Sequence, residues 1–376
     1  MLKIMTIVGT RPELIKMCRV ISELDKHFQH ILVHTGQNYD YELNQIFFED
    51  LEIRKPDHFL GVTGNSAGEV IGDIIAKADK VMAQTAPDAL LVYGDTNSCL
   101  SVIAAKRKKI PVFHFEAGNR CFDQRVPEEL NRKVLDHLSD INLVLSEHAR
   151  RYLIAEGIRP ETIIKTGSHM YEVLKYYEDR ISKSGILKEL SLQPQKYFIV
   201  STHREENVDN RENLGQLIES LQALSAKYNF PVIVSTHPRT AKRIEEFAIV
   251  NKDKNIRFTK PFSFTNYIAL QKNALCVLSD SGTITEEASI LGMPAVTVRE
   301  MHERPEGMDV GTVIMCGLKK DRILEAVAMV ISQYKTGVRS IPEVADYTNM
   351  HVSSQVARIV ASYVDFVNRN VWKKNV

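Results

Sequence analysis

A short apolar run, a polar loop and an amphipathic helix follow one another repeatedly, and this alternation constrains the fold more than any other feature of the sequence. The first apolar run, at residues 2–8, leads into a loop at 9–13 and then into a helix with apolar positions on one face (Leu14, Ile15, Cys18, Ile21 and Leu24). Strands that alternate with helices build parallel sheets with helices on both faces. The sequence therefore predicts an α/β fold with doubly wound parallel sheets.

The alternation stops once and then restarts. The runs at 140–145 and 163–167 are predicted to be the last strands of a first sheet, the stretch 176–195 is polar, and a new series of strands begins at 197–201. A chain of 376 residues is also long for a single hydrophobic core. We expect two domains of the same type, with a ligand cleft between the carboxyl edges of their sheets.

Composition argues against several classes of function. The 48 basic and 47 acidic side chains leave a net charge of +1, so neither nucleic acid nor an anionic membrane is predicted as a partner. The five cysteines are scattered without CxxC spacing, which indicates reduced thiols in a cytoplasmic protein. The run at 2–8 is too short for a signal peptide, and no apolar run approaches the length of a membrane span.

Three carboxylates lie where the first sheet would present its ligand edge. Asp95 and Glu116 follow two consecutive apolar runs, and Glu128 lies on the next helix with Arg132 one turn later. Residues just past the carboxyl ends of parallel strands line the ligand crevice of such sheets. An acid/base site would look like this. Asp95 could equally cap a helix, and Glu128 and Arg132 could form a surface ion pair worth only about 0.3–0.5 kcal/mol.

Two cations stand at the start of the first helix. Arg11 and Lys16 lie where the helix dipole disfavours positive charge, unless an anion is bound there. They are either solvated basic side chains or contacts to a phosphate.

A second candidate anion site lies in the second half of the chain. Ser281, Gly282 and Thr283 separate an apolar run from a helix, so their N–H groups and hydroxyls can face a phosphate. Glu287, one turn later, could accept hydrogen bonds from a ribose or be a solvated helix residue. His203 ends another apolar run, where it could meet a departing phosphate or serve a structural role.

Several cofactor motifs are absent from the sequence. There is no GxxxxGK[ST] loop, which disfavours phosphoryl transfer from ATP, and no strand runs into GxGxxG, which disfavours a dinucleotide. The twelve histidines include no HExxH or similar close pair of metal ligands. The sequence therefore predicts neither a metal nor an organic cofactor.

Six short motifs run in the order found in one enzyme family: residues 9–13 with Lys16, 94–96, 116–118, 127–132, 279–287 and 303–306. By these motifs the sequence resembles the non-hydrolysing UDP-N-acetylglucosamine 2-epimerases over essentially its whole length. The resemblance implies a GT-B-like arrangement of two Rossmann-like domains that face a central cleft, and a homodimer. It also implies that the last helix returns to the first domain. The predicted domains are therefore 1–168 with 356–376, and 169–355, the second binding UDP.

Three segments depart from the usual family pattern: Gln-Asn-Tyr-Asp at 37–40, the segment 119–125, and Ser-Gly-Thr at 281–283. All three look like the branch that converts UDP-2-acetamido-2,6-dideoxy-L-talose into UDP-N-acetyl-L-fucosamine for capsule or O-antigen. In relatives that act on UDP-GlcNAc, the region matching 37–40 helps to bind a regulatory substrate molecule. Since the usual motif is missing, that regulation is not predicted here.

The resemblance implies cofactor-free chemistry, in which UDP is eliminated across C1–C2 and added back with the C2 proton on the opposite face. By family position, Asp95, Glu116 and Glu128 are the acid/base candidates, and Arg132 and His203 would stabilise the departing UDP. The remaining substrate contacts would come from Arg11, Lys16, Phe264, Ser281, Gly282, Thr283, Glu287 and Arg304. Of these, Phe264 would stack on uracil.

Three alternatives share parts of this pattern. The first is an epimerase that interconverts UDP-GlcNAc and UDP-ManNAc. The second is a GT-B glycosyltransferase, which would need an acceptor and would leave UDP behind. The third is a non-catalytic UDP-sugar sensor.

Overall fold

The computed structural model describes residues 1–36, 48–334, 338 and 341–375, so the 37–40 segment lies outside the described residues. By its internal contacts the chain divides into unit 1, Met1–Lys175 with Thr348–Val376, and unit 2, Tyr176–Tyr347. The sequence predicted boundaries at 168/169 and 355/356, whereas the units divide at 175/176 and 347/348.

Unit 1 contains a parallel sheet with the strand order β3-β2-β1-β4-β5-β6-β7. Its strands are β1 Lys3–Val8, β2 Gln29–His34, β3 His58–Phe59, β4 Ala89–Tyr93, β5 Val112–Ala117, β6 Ile141–Val144 and β7 Ile163–Lys165. Its α-helices are α1 Arg11–His27, α2 Ala67–Thr85, α3 Val102–Arg107, α4 Pro127–Leu138, α5 Glu147–Ala155, α6 Met170–Tyr176 at the boundary, and the last helix, α16 Val352–Asn370. Short 3-10 helices span Asn97–Ser101 and Pro160–Thr162.

Unit 2 contains a second parallel sheet, with the strand order β10-β9-β8-β11-β12-β13. Its strands are β8 Phe198–Ser201, β9 Val232–Ser235, β10 Ile256–Thr259, β11 Cys276–Ser279, β12 Ala295–Thr297 and β13 Ile314–Met315. Its α-helices are α7 Glu178–Ser182, α8 Ile186–Glu189, α9 Glu205–Val208, α10 Arg211–Tyr228, α11 Pro238–Glu246, α12 Phe264–Asn273, α13 Thr283–Leu291, α14 Pro305–Asp309 and α15 Lys320–Gln333. A 3-10 helix, Ala345–Tyr347, ends the unit.

The central strand β4 is apolar along almost its whole length because both of its faces are covered. All five residues of β4 are buried, as expected for a parallel strand between two layers of helices. Helix α1 contributes Leu14, Met17 and Ile21 to the buried interior, and α16 packs against α1. The predicted α/β class, with two Rossmann-like doubly wound domains, is confirmed.

Each sheet reverses its strand order at one place, between β1 and β4 in unit 1 and between β8 and β11 in unit 2. In open α/β sheets, ligands bind beyond the carboxyl ends of the strands at such reversal points. Arg11 follows β1 and Asp95 follows β4, while His203 follows β8 and Ser281 follows β11. Two of the predicted site residues in each unit therefore lie beside its reversal point.

The five cysteines carry free thiols, and four of them are buried. No helix within the described ranges is long and apolar enough to cross a bilayer. Within the same ranges, no three His, Cys, Asp or Glu side chains are grouped so that they could hold a metal ion.

Candidate functional site

The loops after β1 and β4 are joined by the side chain of Glu13, in the first turn of α1. Its Oε2 accepts hydrogen bonds from the backbone N–H groups of Gly9 (3.0 Å) and Thr10 (2.7 Å). Its Oε1 accepts a hydrogen bond from the Thr96 hydroxyl (3.0 Å), one residue beyond Asp95. Glu13 thus ties the start of α1 to the loop that carries a predicted catalytic carboxylate.

The Glu13 carboxyl is buried, and burial raises its pKa from 4.5 to about 7. The hydrogen bonds from Thr10, Gly9 and Thr96 lower the pKa and offset only part of the lost hydration. Near neutral pH, Glu13 is therefore divided between its neutral and charged forms.

The bend after β1 has no room for a side chain. A Cβ atom added to Gly9 would lie 2.0 Å from Ser98 Oγ and 2.3 Å from Thr35 Oγ1. Both distances are far inside van der Waals contact. Glycine at this position therefore allows the loops after β1, β2 and β4 to pack together at the reversal point.

Glu116 lies inside β5, at a bulge, rather than beyond the end of the strand as the sequence suggested. The register of β5 on β6 shifts between Phe115 and Ala117, and Glu116 has a φ of +68°, a conformation rare outside glycine. Its Oε2 lies 2.7 Å from Lys16 Nζ and also accepts a hydrogen bond from the Tyr93 hydroxyl. The predicted carboxylate and the predicted phosphate-binding lysine are therefore direct neighbours.

Asp95 is held by two residues of α4. Arg132 Nε lies 2.8 Å from Asp95 Oδ2, and Arg132 Nη1 lies 2.9 Å from Oε2 of the buried Glu129. Asn131 Nδ2 donates a hydrogen bond to the Asp95 carbonyl oxygen (2.9 Å). The guanidinium thus bridges Asp95 and Glu129, whereas Glu128 is half-buried at the second position of the helix.

The segment 119–125 is anchored by a buried arginine. Arg120 Nη1 lies 2.7 Å from Asp136 Oδ2, and Arg120 Nη2 lies 2.7 Å from Glu156 Oε2. Burial alone would raise the pKa of Asp136, but the hydrogen bond from His114 and the charge of Arg120 hold that pKa below its usual value. This segment is therefore fixed to α4 and to the end of α5 by two ion pairs.

His114 connects that pair to the Asp95 loop. Its Nδ1 lies 2.9 Å from Asp136 Oδ1, and its Nε2 lies 2.7 Å from the Gly94 carbonyl oxygen. Both partners, a carboxylate and a backbone carbonyl, are hydrogen-bond acceptors. The Gly118 N–H also donates to Asp136 Oδ1 (3.2 Å). Asp136 therefore binds the Gly118 N–H, just after the β5 bulge, and is connected through His114 to Gly94, just before Asp95.

In unit 2, the buried Asp280 joins the loops after β8 and β11. Its Oδ2 accepts hydrogen bonds from the N–H groups of His203 and Arg204 and from Asn207 Nδ2, each at 3.0 Å. His203 Nδ1 lies 3.3 Å from Asp280 Oδ1. Burial raises the pKa of Asp280, and these donors lower it in part. The carboxylate orients the imidazole in the way that Glu13 orients the first loop of unit 1.

The start of α13 has the composition of an anion site. Ser281 Oγ and Thr283 Oγ1 lie 2.9 Å apart, and Gly282 is the residue just before the helix. The N–H groups and dipole of a helix start favour phosphate. Glu287, one turn later, is buried and accepts a hydrogen bond from Gln271 Nε2 (2.7 Å).

Two predicted nucleotide contacts have strong partners within unit 2. Arg304 is buried, and its Nη2 lies 3.2 Å from Glu286 Oε2. Phe264, at the start of α12, is 4% exposed and meets the Tyr177 ring edge-on, with centroids 5.9 Å apart. Each side chain therefore has a packing role in addition to its predicted contact with the nucleotide.

The structure pairs several predicted residues within unit 1, namely Lys16 with Glu116 and Arg132 with Asp95. Arg11 is the first residue of α1, and its side chain is partly exposed. Sequence reasoning missed four residues that hold these groups in place: Glu13, Tyr93, Glu129 and Asp280. Each adjoins or belongs to one of the quoted motifs, and that position was the only available signal in the sequence.

The sequence model of the family described as UDP-N-acetylglucosamine 2-epimerase matches residues 22–361. A solved structure of UDP-N-acetylglucosamine 2-epimerase from Rickettsia bellii is 58% identical in sequence, with each chain covered over 100% of its length and a TM-score of 0.92. This chain belongs to the UDP-N-acetylglucosamine 2-epimerase family. It is therefore an isomerase, and the family resemblance and enzyme class predicted from the sequence are confirmed.

Other members of the family differ in the sugar named for them. The epimerase from Methanocaldococcus jannaschii, solved in complex with UDP-GlcNAc and UDP, is 33% identical, with 96% of this chain and 100% of that chain covered and a TM-score of 0.90. The UDP-2,3-diacetamido-2,3-dideoxy-D-glucuronate 2-epimerase of Pseudomonas aeruginosa is 34% identical, with 86% of this chain and 91% of the relative covered. Epimerisation at C2 is common to these names, whereas the rest of the sugar varies.

Proposed function

We propose that this epimerase inverts C2 of a UDP-2-acetamido sugar by eliminating UDP and adding it back. The observation that carries the proposal is the pairing of carboxylates with cations at the reversal point of unit 1. Glu116 lies 2.7 Å from Lys16, and Asp95 lies 2.8 Å from Arg132. General acid/base groups beside fixed positive charges are what an elimination that expels a phosphate requires.

The proposed reaction balances without an oxidant or reductant. A carboxylate takes the proton from C2, the C2–H electron pair forms the C1–C2 double bond, and the C1–O bond breaks with its electrons leaving on the β-phosphate of UDP. In the return step, a phosphate oxygen of UDP attacks C1 and a proton is delivered to the opposite face of C2. One face thus needs a base and the other needs an acid.

The proton transfers are assigned to unit 1, to Asp95, Glu116 and Glu128. Lys16, Arg11 and Arg132 would supply positive charge to the pyrophosphate. The nucleotide contacts assigned to unit 2 are His203, Phe264, Ser281, Gly282, Thr283, Glu287 and Arg304. The supporting observations are the position of His203 and Ser281 on either side of the β8–β11 reversal point and the hydroxyls at the start of α13.

The sugar we propose is UDP-2-acetamido-2,6-dideoxy-L-talose, which would be converted to UDP-N-acetyl-L-fucosamine for polysaccharide biosynthesis. The departures at 37–40, 119–125 and 281–283 support this choice. The second candidate is UDP-GlcNAc, because that sugar is named for the Rickettsia relative that is 58% identical. A homodimer, expected from the family resemblance, is the proposed assembly; light scattering after gel filtration would test it.

The deciding experiment incubates the protein in D2O separately with each of the two sugar nucleotides and follows C2 by NMR and mass spectrometry. The proposal expects one deuterium at C2 and a new epimer, with UDP remaining attached at equilibrium. Turnover of the L-talo compound at least about tenfold faster in kcat/KM than that of UDP-GlcNAc would support the first sugar, and the reverse order would support the second. No deuterium with either compound would overturn the proposal. Release of UDP only when an acceptor sugar is added would indicate a glycosyltransferase.

A further inference from the structure

We propose that Tyr93 is a positioning residue for Glu116, and that its phenol sets the proton affinity and orientation of that carboxylate during C2 proton transfer. This inference rests on the proposed function. It adds a residue that the motif pattern does not single out, because Tyr93 lies at the end of an apolar run and looks like part of the core.

Three side chains from three elements converge at Glu116. Tyr93 is the last residue of β4, Lys16 comes from α1, and Glu116 sits at the bulge of β5. The Tyr93 hydroxyl and Lys16 Nζ both bond to Glu116 Oε2, the latter at 2.7 Å. Lys16 Nζ also lies 5.4 Å from the centre of the Tyr93 ring. The phenol and the ammonium therefore hold the same carboxylate oxygen from two sides.

The ring of Tyr93 is fixed independently of its hydroxyl. It is 3% exposed and packs edge-on against Phe115, with centroids 5.4 Å apart, and against His169, with centroids 5.2 Å apart. A Tyr93→Phe substitution keeps these contacts and removes only the donor to Glu116. The side chain can therefore be tested without opening a cavity.

The polarity of the hydrogen bond follows from its neighbours. Lys16 has only donors, and its ammonium beside Glu116 favours the charged carboxylate, so the phenol O–H must donate. A donor to a carboxylate makes it a weaker base and a stronger acid. Loss of the phenol should therefore make Glu116 hold its proton more tightly.

The backbone at Glu116 explains why such support is needed. With φ at +68°, Glu116 occupies a conformation that surrounding contacts must maintain. Two donors on one oxygen restrict the rotation of the carboxylate, and correct placement of a proton-transfer group is worth large factors in rate. Lys16 alone, on a flexible stem, would fix the carboxylate less well.

The test compares Tyr93→Phe with the wild type and with Tyr197→Phe as matched control. The Tyr197 hydroxyl is also buried and donates to the Leu270 carbonyl oxygen (2.5 Å), within unit 2. For Tyr93→Phe we expect kcat to fall about 10- to 100-fold with little change in KM. The low-pH limb of the kcat profile should move up by about one pH unit. Tyr197→Phe should leave both the low-pH and the high-pH limb of the kcat profile unchanged.

The groups that bear on the pH readout include Lys16 from α1 and Tyr93 from β4, which both bond to Glu116, and His169, which packs against the Tyr93 ring. Replacement of Tyr93 by 3-fluorotyrosine, whose phenol is more acidic, gives a second and nearly isosteric variant. The low-pH limb of the kcat profile of this variant should move to lower pH, opposite to the shift expected for Tyr93→Phe.

The role of Tyr93 would be overturned if a folded Tyr93→Phe protein had the same kcat and pH profile as the wild type. It would also be overturned if fluorotyrosine left the low-pH limb of the kcat profile where tyrosine has it. Either result would leave the proposed function standing. The wild type would still exchange deuterium at C2 in that case. If the wild type itself exchanges no C2 hydrogen with either sugar nucleotide, the proposed function and the Tyr93 role both fail.

Discussion

Glu13 and Asp280 make similar contacts in the two units, although Glu13 lies on the helix after β1 and Asp280 directly follows β11. Each carboxyl is buried at the reversal point of its sheet, and each accepts backbone N–H bonds from the loop after the first central strand. Burying a carboxyl costs free energy unless donors replace its water. Both units accept this cost beside the reversal point of their sheet, which indicates that the shape of these loops matters more than the stability lost there.

Replacement of Glu13 by glutamine should change how stability depends on pH. The folded-state pKa of about 7 is raised above the ordinary value of 4.5, so the contribution of Glu13 is full below pH 4.5 and is lost as pH rises towards 7. Relative to Glu13→Gln, the free energy of unfolding of the wild type should fall by about 3 kcal/mol across this window. Urea denaturation of both proteins between pH 4.5 and 8 measures this. Parallel curves would contradict the raised pKa.

Glu116→Gln should abolish turnover while UDP binding stays within a few-fold. The amide keeps the size of the side chain but cannot take a proton from C2, and loss of a general acid/base group costs about 100- to 10,000-fold. Steady-state kinetics and calorimetry with UDP provide the two measurements. Glu161→Gln, at an exposed carboxylate paired with Arg159, is the control. Full activity in Glu116→Gln would refute the assignment.

At the scale of elements, the strands and the loops after them were predictable, because period and turn residues are local properties of the sequence. The start of α4 at Pro127 follows from the same signals. The bulge that places Glu116 inside β5 was not predictable, since a positive φ at glutamate depends on partners such as Lys16 and Tyr93 that lie far away in the sequence. Arg120 likewise looked like a loop residue, because its partners Asp136 and Glu156 come from other elements.

The anchoring of the 119–125 segment leads to a prediction about stability. Arg120→Ala leaves Asp136 with one fewer partner in a dry interior, and breaking such a pair costs about 3–5 kcal/mol. The exposed Arg125, which pairs with Asp123 in the same segment, is the matched control, and Arg125→Ala should cost less than about 1 kcal/mol. Chemical denaturation of the two variants compares these values. Equal losses in the free energy of unfolding would show that the buried pair of Arg120 stabilises the fold no more than the exposed pair of Arg125.

For the whole molecule, the sequence predicted two α/β domains and the residues at the reversal point of each. The hydrogen bonds that hold those residues in place could not be predicted from the sequence. Asp280 and Glu13 accept them from backbone N–H groups, which no sequence motif identifies. The restart of the strand pattern near residue 197 marks the first strand of unit 2, β8, whereas the unit itself begins at Tyr176.

If unit 2 carries the nucleotide contacts, a single hydroxyl there should affect UDP affinity. Ser281→Ala removes a donor at the start of α13, and a hydrogen bond to a charged phosphate is worth about 1.5 kcal/mol or more, which corresponds to a roughly tenfold rise in Kd. Ser332→Ala, on the exposed surface of α15, should leave Kd unchanged. Titration calorimetry with UDP measures both. Equal affinities in the two variants would remove Ser281 from the nucleotide site.

The return of α16 to α1 has a consequence for the order of events during synthesis. Unit 1 takes its last segment from residues 348–376, which leave the ribosome after all of unit 2. The helix that carries Glu13 and Lys16 therefore waits for its packing partner until all of unit 2 has been synthesised, whereas unit 2 can fold as soon as it emerges. A ribosome that stalls within α16 would leave a chain whose unit 2 is folded and whose unit 1 is incomplete.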